Sequence, residues 1–167
     1  PKGAELQFAE VGSVSGVDDS SNVRGVTMGD LDGDGDLDVY VANVGVSNKL
    51  YRNDGDLVFV EIGSASGVDD SGKGHGAVMG DLDGDGDVDI LSADRDDDKV
   101  AWHENDGAQS FTEHDVGFST INPRGLAAGD VDGDSDVDVL VAVPVSVSVL
   151  VSVLVSVPGG GLGGGIR

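Results

Sequence analysis

The sequence predicts an all-β fold built from a short-stranded, antiparallel unit that is repeated along the chain. Brief apolar runs recur between glycine-rich turns, and the chain holds 28 glycines in 167 residues. No segment keeps the apolar period of about 3.6 residues that an amphipathic helix needs, so helices are not expected. Whole segments also return at a spacing of about 50 residues, which lies in the range of propeller blades.

The repeat is visible by eye. Residues 6–20 return with a few changes as 57–71, and residues 28–36 return unchanged as 79–87. A looser third copy covers residues 128–136. Each full unit is predicted to contain four strands, with an acidic loop between the first two and an Asn-Asp-Gly turn between the last two. Asn, Asp and Gly favour a tight reversal because they tolerate positive φ.

The predicted strands follow from this alignment. The first precedes the acidic loop, the second leaves it, the third ends at Asn-Asp-Gly and the fourth follows that turn. The first strands are predicted at 25–28, 76–79 and 125–128, and the second strands at 37–42, 88–93 and 137–143. The third strands are predicted at 48–52 and 99–104, and the fourth strands at 57–62 and 110–116.

The domain organisation predicted from the repeat is one array followed by two unrelated segments. Residues 1–143 hold the repeats, 144–157 form a strand in which valine alternates mainly with serine and leucine, and 158–167 are a glycine-rich tail. Within the array we expect an orphan strand at 6–11, blades at 23–62 and 74–116, and a partial blade at 124–143. About three four-stranded antiparallel blades are too few to close a propeller. Copies of the chain, or further blades of a longer one, would have to complete it.

The charge is strongly acidic and unevenly placed. The chain has 32 Asp and Glu against 9 Lys and Arg, for a formal net charge of -23. This balance argues against nucleic acid and anionic membrane surfaces as partners. No membrane span is expected, since the apolar stretch 144–157 is short, β-branched and interrupted by serine. The chain has no cysteine, which excludes disulfides and thiolate metal sites.

Much of the acid lies in three loops of the form Asp-x-Asp-x-Asp-Gly/Ser-Asp-x-Asp. Calcium takes six to eight oxygen ligands at about 2.3–2.6 Å, and alternate carboxylates on a curled loop can point at one ion. A glycine at position 6 lets the backbone reverse so that the carbonyl of position 7 faces the metal. The loops are not EF-hands, because position 12 is Val41, Ser92 or Val141 and lies in a β-type run.

The loop between two strands, together with 50–55 and 102–107 and the aromatic residues Phe59 and Phe111, resembles the FG-GAP/VCBS repeat of integrin-α-like propellers. The resemblance covers about residues 6–143. It implies that the Asp side chains at positions 1, 3, 5 and 9 and the carbonyl at position 7 hold Ca²⁺. Carried onto this sequence, the implied metal residues are Asp30, Asp32, Asp34, Asp36 and Asp38; Asp81, Asp83, Asp85, Asp87 and Asp89; and Asp130, Asp132, Asp134, Asp136 and Asp138.

The third of these three calcium sites is predicted to be the weakest. Ser135 replaces glycine at position 6, and a non-glycine residue with positive φ costs on the order of 1 kcal/mol.

The sequence therefore predicts a non-enzymatic, calcium-binding module that serves adhesion, surface structure or self-assembly, with calcium stabilising the loops between strands. The alternative is a carbohydrate- or protein-recognition domain of a larger secreted protein or enzyme. An extracellular or cell-surface location is expected, because calcium outside cells fills even weak sites. His75, His103 and His114 lack metal or catalytic spacing. Trp102 is interpreted as blade packing, and residues 94–98 as a turn.

Overall fold

The computed structural model describes residues 9–70, 74–116, 122–144 and 149–153. Within these ranges the strands form three antiparallel sheets, which we call blades 1, 2 and 3. Blade 1 comprises β1 (Asn22–Gly29), β2 (Asp38–Val44), β3 (Lys49–Asn53) and β4 (Phe59–Glu61); blade 2 comprises β5 (Gly74–Gly80), β6 (Asp89–Asp94), β7 (Lys99–Asn105) and β8 (Phe111–Asp115); blade 3 comprises β9 (Gly125–Gly129), β10 (Asp138–Pro144) and β11 (Val149–Val153).

This architecture confirms the predicted fold class. Each blade of four strands is a meander in chain order, and the described strands do not close into a ring. The first strands of the blades, β1, β5 and β9, lie side by side as inner strands. The arrangement is that of an incomplete propeller.

Glycine allows the inner strands to approach one another. A Cβ atom added to Gly25 would lie 3.1 Å from the carbonyl oxygen of His75. One added to Gly76 would lie 2.7 Å from the carbonyl oxygen of Arg124. The same repeat position is thus a close backbone contact in both interfaces between blades.

The apolar core lies between the blades, and the first two acidic loops each contribute a leucine to it. Leu31, from the first loop, is buried with Tyr40 and Leu50 of blade 1 and with Ile90 of blade 2. Leu82, from the second loop, is buried with Trp102 of blade 2 and with residues of blade 3. The interpretation of Trp102 as blade packing is therefore confirmed. Val131, at the same position in the third loop, is 58% exposed.

Two helices were not predicted. The structure has one-turn helices α1 (Gly12–Ser15) and α2 (Gly63–Ser66), each followed by a glycine in the left-handed conformation. A single turn is too short to show helical periodicity in the sequence.

Three strand predictions also need correction. The fourth strand of blade 1 is only Phe59–Glu61, because Asp56 and Leu57 adopt positive φ in the preceding turn. Of the predicted orphan strand at 6–11, residues 9–11 are not in a strand and the rest lie outside the described residues. The predicted strand at 144–157 divides: Pro144 ends β10, and Val149–Val153 pairs antiparallel to β10 as the third strand of blade 3. The remainder of 144–157, and all of the tail at 158–167, lie outside the described residues.

Residues 95–98 form the turn expected between β6 and β7. In the part of the chain that the structure describes, no helix has the length and apolar character needed to cross a membrane.

Candidate metal centre

The acidic segments, loop 1 (30–38), loop 2 (81–89) and loop 3 (130–138), each connect the first two strands of a blade. The strands hold the two ends of each loop side by side, because Gly29 pairs with Asp38, Gly80 with Asp89 and Gly129 with Asp138. A nine-residue segment with fixed, adjacent ends must curl, which brings alternate side chains towards one centre.

The curl is organised by carboxylates that accept hydrogen bonds from the backbone of their own loop. In every loop the position 1 aspartate accepts the N–H of position 6, at 3.0 Å, 3.2 Å and 3.1 Å in loops 1, 2 and 3. Position 3 accepts from position 5 at 3.2–3.4 Å, and position 5 from position 7 at 2.8–2.9 Å. The three loops therefore share one conformation.

Each loop brings three carboxylates together. One oxygen from each member of a group lies within 4.8 Å of those of the other members. The groups are Asp30, Asp32 and Asp34 in loop 1; Asp81, Asp83 and Asp85 in loop 2; and Asp130, Asp132 and Asp138 in loop 3. Such groups, built only from oxygen donors, can hold a hard divalent metal ion.

One carboxylate oxygen in loop 1 shows that a metal ion suits this group. Asp30 Oδ1 is buried and has no hydrogen-bond partner, whereas Asp30 Oδ2 accepts the N–H of Gly35. A buried anionic oxygen without a donor is unfavourable unless a cation lies beside it. The residues present therefore fit a bound metal ion. In loops 2 and 3 the corresponding oxygen accepts the N–H of Gly84 or Gly133.

Position 9 has a different setting in loops 1 and 2. Asp38 is 1% exposed, and its two oxygens accept the backbone N–H groups of Asn53 and Leu31 at 2.8 Å and 3.0 Å. Asp89 is equally buried and bonds Asn105 and Leu82 in the same way. The structure thus does not place Asp38 or Asp89 in the convergent groups.

Position 9 of loop 3 is less enclosed. Asp138 belongs to the convergent group, and it accepts the N–H of Val131. Blade 3 has, in its described part, no turn residue corresponding to Asn53 or Asn105.

Position 7 contributes no carboxylate to these groups. The backbone N–H groups of Asp36, Asp87 and Asp136 donate to the carboxylate at position 5 of their loops. The Asp87 carboxylate lies towards the Asn-Asp-Gly turn, since a Cβ atom on Gly107 would be 2.7 Å from its Oδ2. A Cβ atom on Gly55 would similarly be 3.5 Å from Asp36 Oδ2, so in loops 1 and 2 this aspartate lies towards the turn of its own blade.

Desolvation and like charge raise several pKa values in the loops. Burial raises the pKa of Asp38 and of Asp89, although backbone hydrogen bonds oppose this effect. Burial also raises the pKa of Asp83, and the charge of Asp134 raises that of Asp132. These directions reflect the cost of gathering carboxylates without a counter-charge.

Sequence reasoning did not identify two residues that support loop 1 from blade 2. Asn105 donates its side-chain amide to the Leu31 carbonyl at 2.8 Å, and Gln109 donates to Asp38 Oδ2 at 3.0 Å. The recurrence of Asn53 and Asn105 in phase with the loops was the available signal for the asparagine. The sequence pattern alone assigns this asparagine only to a turn.

Fold and loops together define an acidic-loop repeat protein of the propeller type. The model of the FG-GAP-like repeat matches residues 30–92 and 81–141. These overlapping matches cover more than half of the chain, and the chain belongs to the FG-GAP-like repeat family.

Relatives are found among proteins named Cartilage acidic protein 1. The chain is 33% identical to that of Homo sapiens over 87 residues, which are 52% of this chain and 13% of the relative. It is 32% identical to those of Xenopus tropicalis and Mus musculus over the same length. The chain spans only about 13–14% of the length of the curated relatives that it matches.

Proposed function

We propose that this chain is a non-enzymatic, calcium-binding extracellular repeat module in which calcium stabilises the acidic loops between strands and, through loop 1, the contact of one blade with the next. The observation that carries the proposal is the linkage of loop 1 to blade 2. Leu31 is buried between the two blades, its carbonyl accepts from Asn105, and Asp38 accepts from Gln109. A metal ion that fixes this loop would stabilise the packing of one blade on the next.

The ion best suited to these groups is Ca²⁺. In loops 1 and 2 the ligands would be the aspartates at positions 1, 3 and 5 and the carbonyl at position 7. In loop 3 the carboxylate of Asp138 at position 9 would join those at positions 1 and 3. Calcium accepts six to eight oxygens in a flexible geometry, which suits loops of this kind. Magnesium is less suitable because it demands near-ideal octahedral geometry and retains several waters.

The location and role follow from the same chemistry. Extracellular modules bind calcium at about 10⁻⁴–10⁻³ M, so the medium outside cells would keep such loops filled. The relatives are named for cartilage and for acidity, which supports an extracellular structural or adhesive role over catalysis. Recognition of a carbohydrate or protein by a larger secreted protein is the alternative role.

Calcium titration of thermal unfolding tests the proposal. The chain is unfolded with EDTA and then with increasing calcium, and the Tm is expected to rise by several degrees at saturation. Asp30→Asn and Asp81→Asn should reduce this rise. Asp56→Asn is the matched control, because Asp56 is an exposed turn residue with positive φ, which asparagine tolerates.

Light scattering with and without EDTA then separates the two roles. Calcium-dependent assemblies would support a structural module, and a monomer in both conditions would favour the recognition role. A Tm that calcium leaves unchanged would contradict the calcium proposal itself.

A further inference from the structure

A second feature repeats once per blade, at the end of the inner strands opposite the acidic loops. Arg24, His75 and Arg124 occupy the same position in the repeat, each directly before a glycine. We call these three residues the inner-strand row. It lies outside all three loops.

A backbone irregularity sets two members of the row apart from their strands. Pairing of β1 with β2 steps from Val23 to Gly25, and pairing of β5 with β6 steps from Gly74 to Gly76. Arg24 and His75 are therefore the extra residues of β-bulges. Bulges turn a side chain away from the direction that regular pairing would give it.

The three residues follow one another across the inner strands. A Cβ atom on Gly25 would meet the His75 carbonyl oxygen at 3.1 Å, and one on Gly76 would meet that of Arg124 at 2.7 Å. These two contacts place the backbones of the row next to each other, with His75 between the arginines.

The two arginines of the row differ from the other described basic residues because they form no ion pair with a described residue. The described part of the chain contains six lysines and arginines. Lys49, Arg52, Arg95 and Lys99 each form an ion pair with a carboxylate. Arg24 and Arg124 are exposed, and within the described residues neither forms an ion pair. In a chain with a net charge of -23, such arginines are rare.

Distance keeps the row apart from the acidic loops. Arg24 precedes Asp30 by six residues of β1, which at about 3.3 Å per residue separates them by roughly 20 Å. That distance exceeds the Debye length of about 8 Å at physiological ionic strength. Asp94 and Asp98 lie nearer, since Asp94 pairs with Gly74 beside His75 and Asp98 accepts the N–H of Asn122. Among the described ion pairs, none joins Arg24 or Arg124 to either aspartate.

A cavity opens at the same end of blade 1. It has a volume of about 420 Å³. Its polar lining consists of Ser21, Ser47, Asn48, Lys49 and Ser64 together with the carboxylates of Glu61 and Asp69. Ser21 precedes Arg24 by three residues, a span of about 10 Å in an extended chain. Hydroxyl, amide and carboxylate groups can all hydrogen-bond the hydroxyl groups of a ligand. The carboxylates of Glu61 and Asp69 would repel a ligand carboxylate, so the charged group of the ligand would lie outside this cavity.

We propose that the inner-strand row binds the carboxylate groups of an acidic saccharide, whose hydroxyl groups the neighbouring cavity accepts. Guanidinium groups bind carboxylates through two parallel hydrogen bonds, which neutral sugars cannot provide. The strongly negative chain would repel a long polyanion, so a short uronate oligosaccharide fits better than a nucleic acid. This inference goes beyond the proposed calcium function and does not depend on it.

Isothermal titration of the calcium-saturated chain with trigalacturonate at low ionic strength is the test. Arg24→Gln and Arg124→Gln are each expected to weaken binding about tenfold, the effect of losing one charge-assisted hydrogen bond. Arg52→Gln and Arg95→Gln are the matched controls, because both arginines are already paired with carboxylates, and they should change affinity less than about twofold.

Four results would overturn the inference. These are no trigalacturonate binding by the unaltered chain, equal losses in the row and control variants, equal binding of maltotriose, or tighter binding of a glutamate-rich peptide. Thermal unfolding with calcium should be the same for all four variants. This readout separates loss of the anion site from loss of the fold or of the calcium function.

Discussion

The side-chain amide of Asn105 in blade 2 donates a hydrogen bond of 2.8 Å to the backbone carbonyl of Leu31 in loop 1. The two residues are 74 positions apart in the sequence. Asn105 is 1% exposed, and its amide also donates to the Val88 carbonyl in its own blade. One side chain thus connects the loop of one blade to the turn of the next.

Asn105→Ala should weaken the interface between blades 1 and 2. It leaves the buried Leu31 carbonyl without its donor, which costs about 1–3 kcal/mol. Loop 1 would also lose support for its carboxylates, so its calcium affinity should fall. Urea unfolding with and without calcium measures both effects.

Asn53→Ala is the matched control in blade 1. Asn53 donates its side-chain amide to the Leu37 carbonyl, at the position where Asn105 bonds Val88. It has no described partner in another blade. The excess cost at Asn105 therefore isolates the bond between blades, and equal costs would show that this bond contributes nothing.

Gly76→Ala should separate blades 2 and 3. The added Cβ would lie 2.7 Å from the Arg124 carbonyl oxygen, a backbone atom that cannot move alone. Overpacking of this kind costs about 1–3 kcal/mol. Urea unfolding of the variant should show a lower midpoint.

Gly80→Ala, in the same strand, is the control for this substitution. Its Cβ would meet only Leu82 Cδ2, at 4.0 Å, an ordinary contact. The variant should be at least as stable as the original chain. Equal destabilisation by the two alanines would mean that strand conformation, rather than the approach of blade 3, explains the need for glycine.

Sequence reasoning could predict what repeats locally. The spacing of aspartates in the loops, the strand order and the Asn-Asp-Gly turns depend on neighbours within one blade, so the pattern of one copy is checked by the next. The alternation of valine also indicated a strand near residues 149–153. Its place as the third strand of blade 3 depends on pairing with β10, which alternation alone does not specify.

Contacts between blades could not be predicted in this way. Leu31 and Val131 share a loop position, yet one is 2% exposed and the other 58%. The difference arises because blade 2 covers Leu31, while no described blade covers Val131. The bond from Gln109 to Asp38 spans 71 residues, and it has no counterpart among the described residues of the other units that would reveal it. The helices α1 and α2 escaped prediction because one turn carries no periodicity.

Ser135→Gly should strengthen loop 3. Ser135 has a φ of 76°, in the same region as Gly35 at 95° and Gly86 at 101°. Relief of strain exceeds the entropy that glycine adds to the unfolded chain, for a net gain of roughly 0.5–1 kcal/mol. Calcium affinity at loop 3 should rise accordingly, as isothermal titration of a chain with loops 1 and 2 inactivated would measure.

The reverse substitutions complete this comparison. Gly35→Ser and Gly86→Ser should lower the affinity of loops 1 and 2 towards that of loop 3. If Ser135→Gly left loop 3 as weak as before, its exposure and the absence of a covering turn would be the cause instead. Equal affinities in all three original loops would contradict the predicted ranking.

His103 should make the fold sensitive to mild acid. The imidazole is buried in blade 2, within 3.2 Å of the Ser92 hydroxyl, and burial lowers its pKa to about 4. Between about pH 4 and 6.5 the unfolded chain binds a proton here that the folded chain does not, so stability rises with pH in this window. The full effect is about 3 kcal/mol, at about 1.36 kcal/mol per unit of pKa.

His103→Gln removes the titrating group and should flatten the dependence of the unfolding free energy on pH between about 4.5 and 7. Ser92→Ala is the control, because it removes the hydroxyl beside the ring but keeps the buried imidazole, and it should leave the slope in place. Asp38 and Asp89 have the opposite effect on the pH dependence of stability. Because burial raises their carboxylate pKa in the folded chain, the stability that they contribute is lost as the pH rises through that pKa. Both chains contain these aspartates, so the carboxylate contribution cancels when the unfolding free energy of His103→Gln is subtracted from that of the original chain at each pH. Parallel pH profiles of the two chains would show that His103 is not the acid-sensitive group.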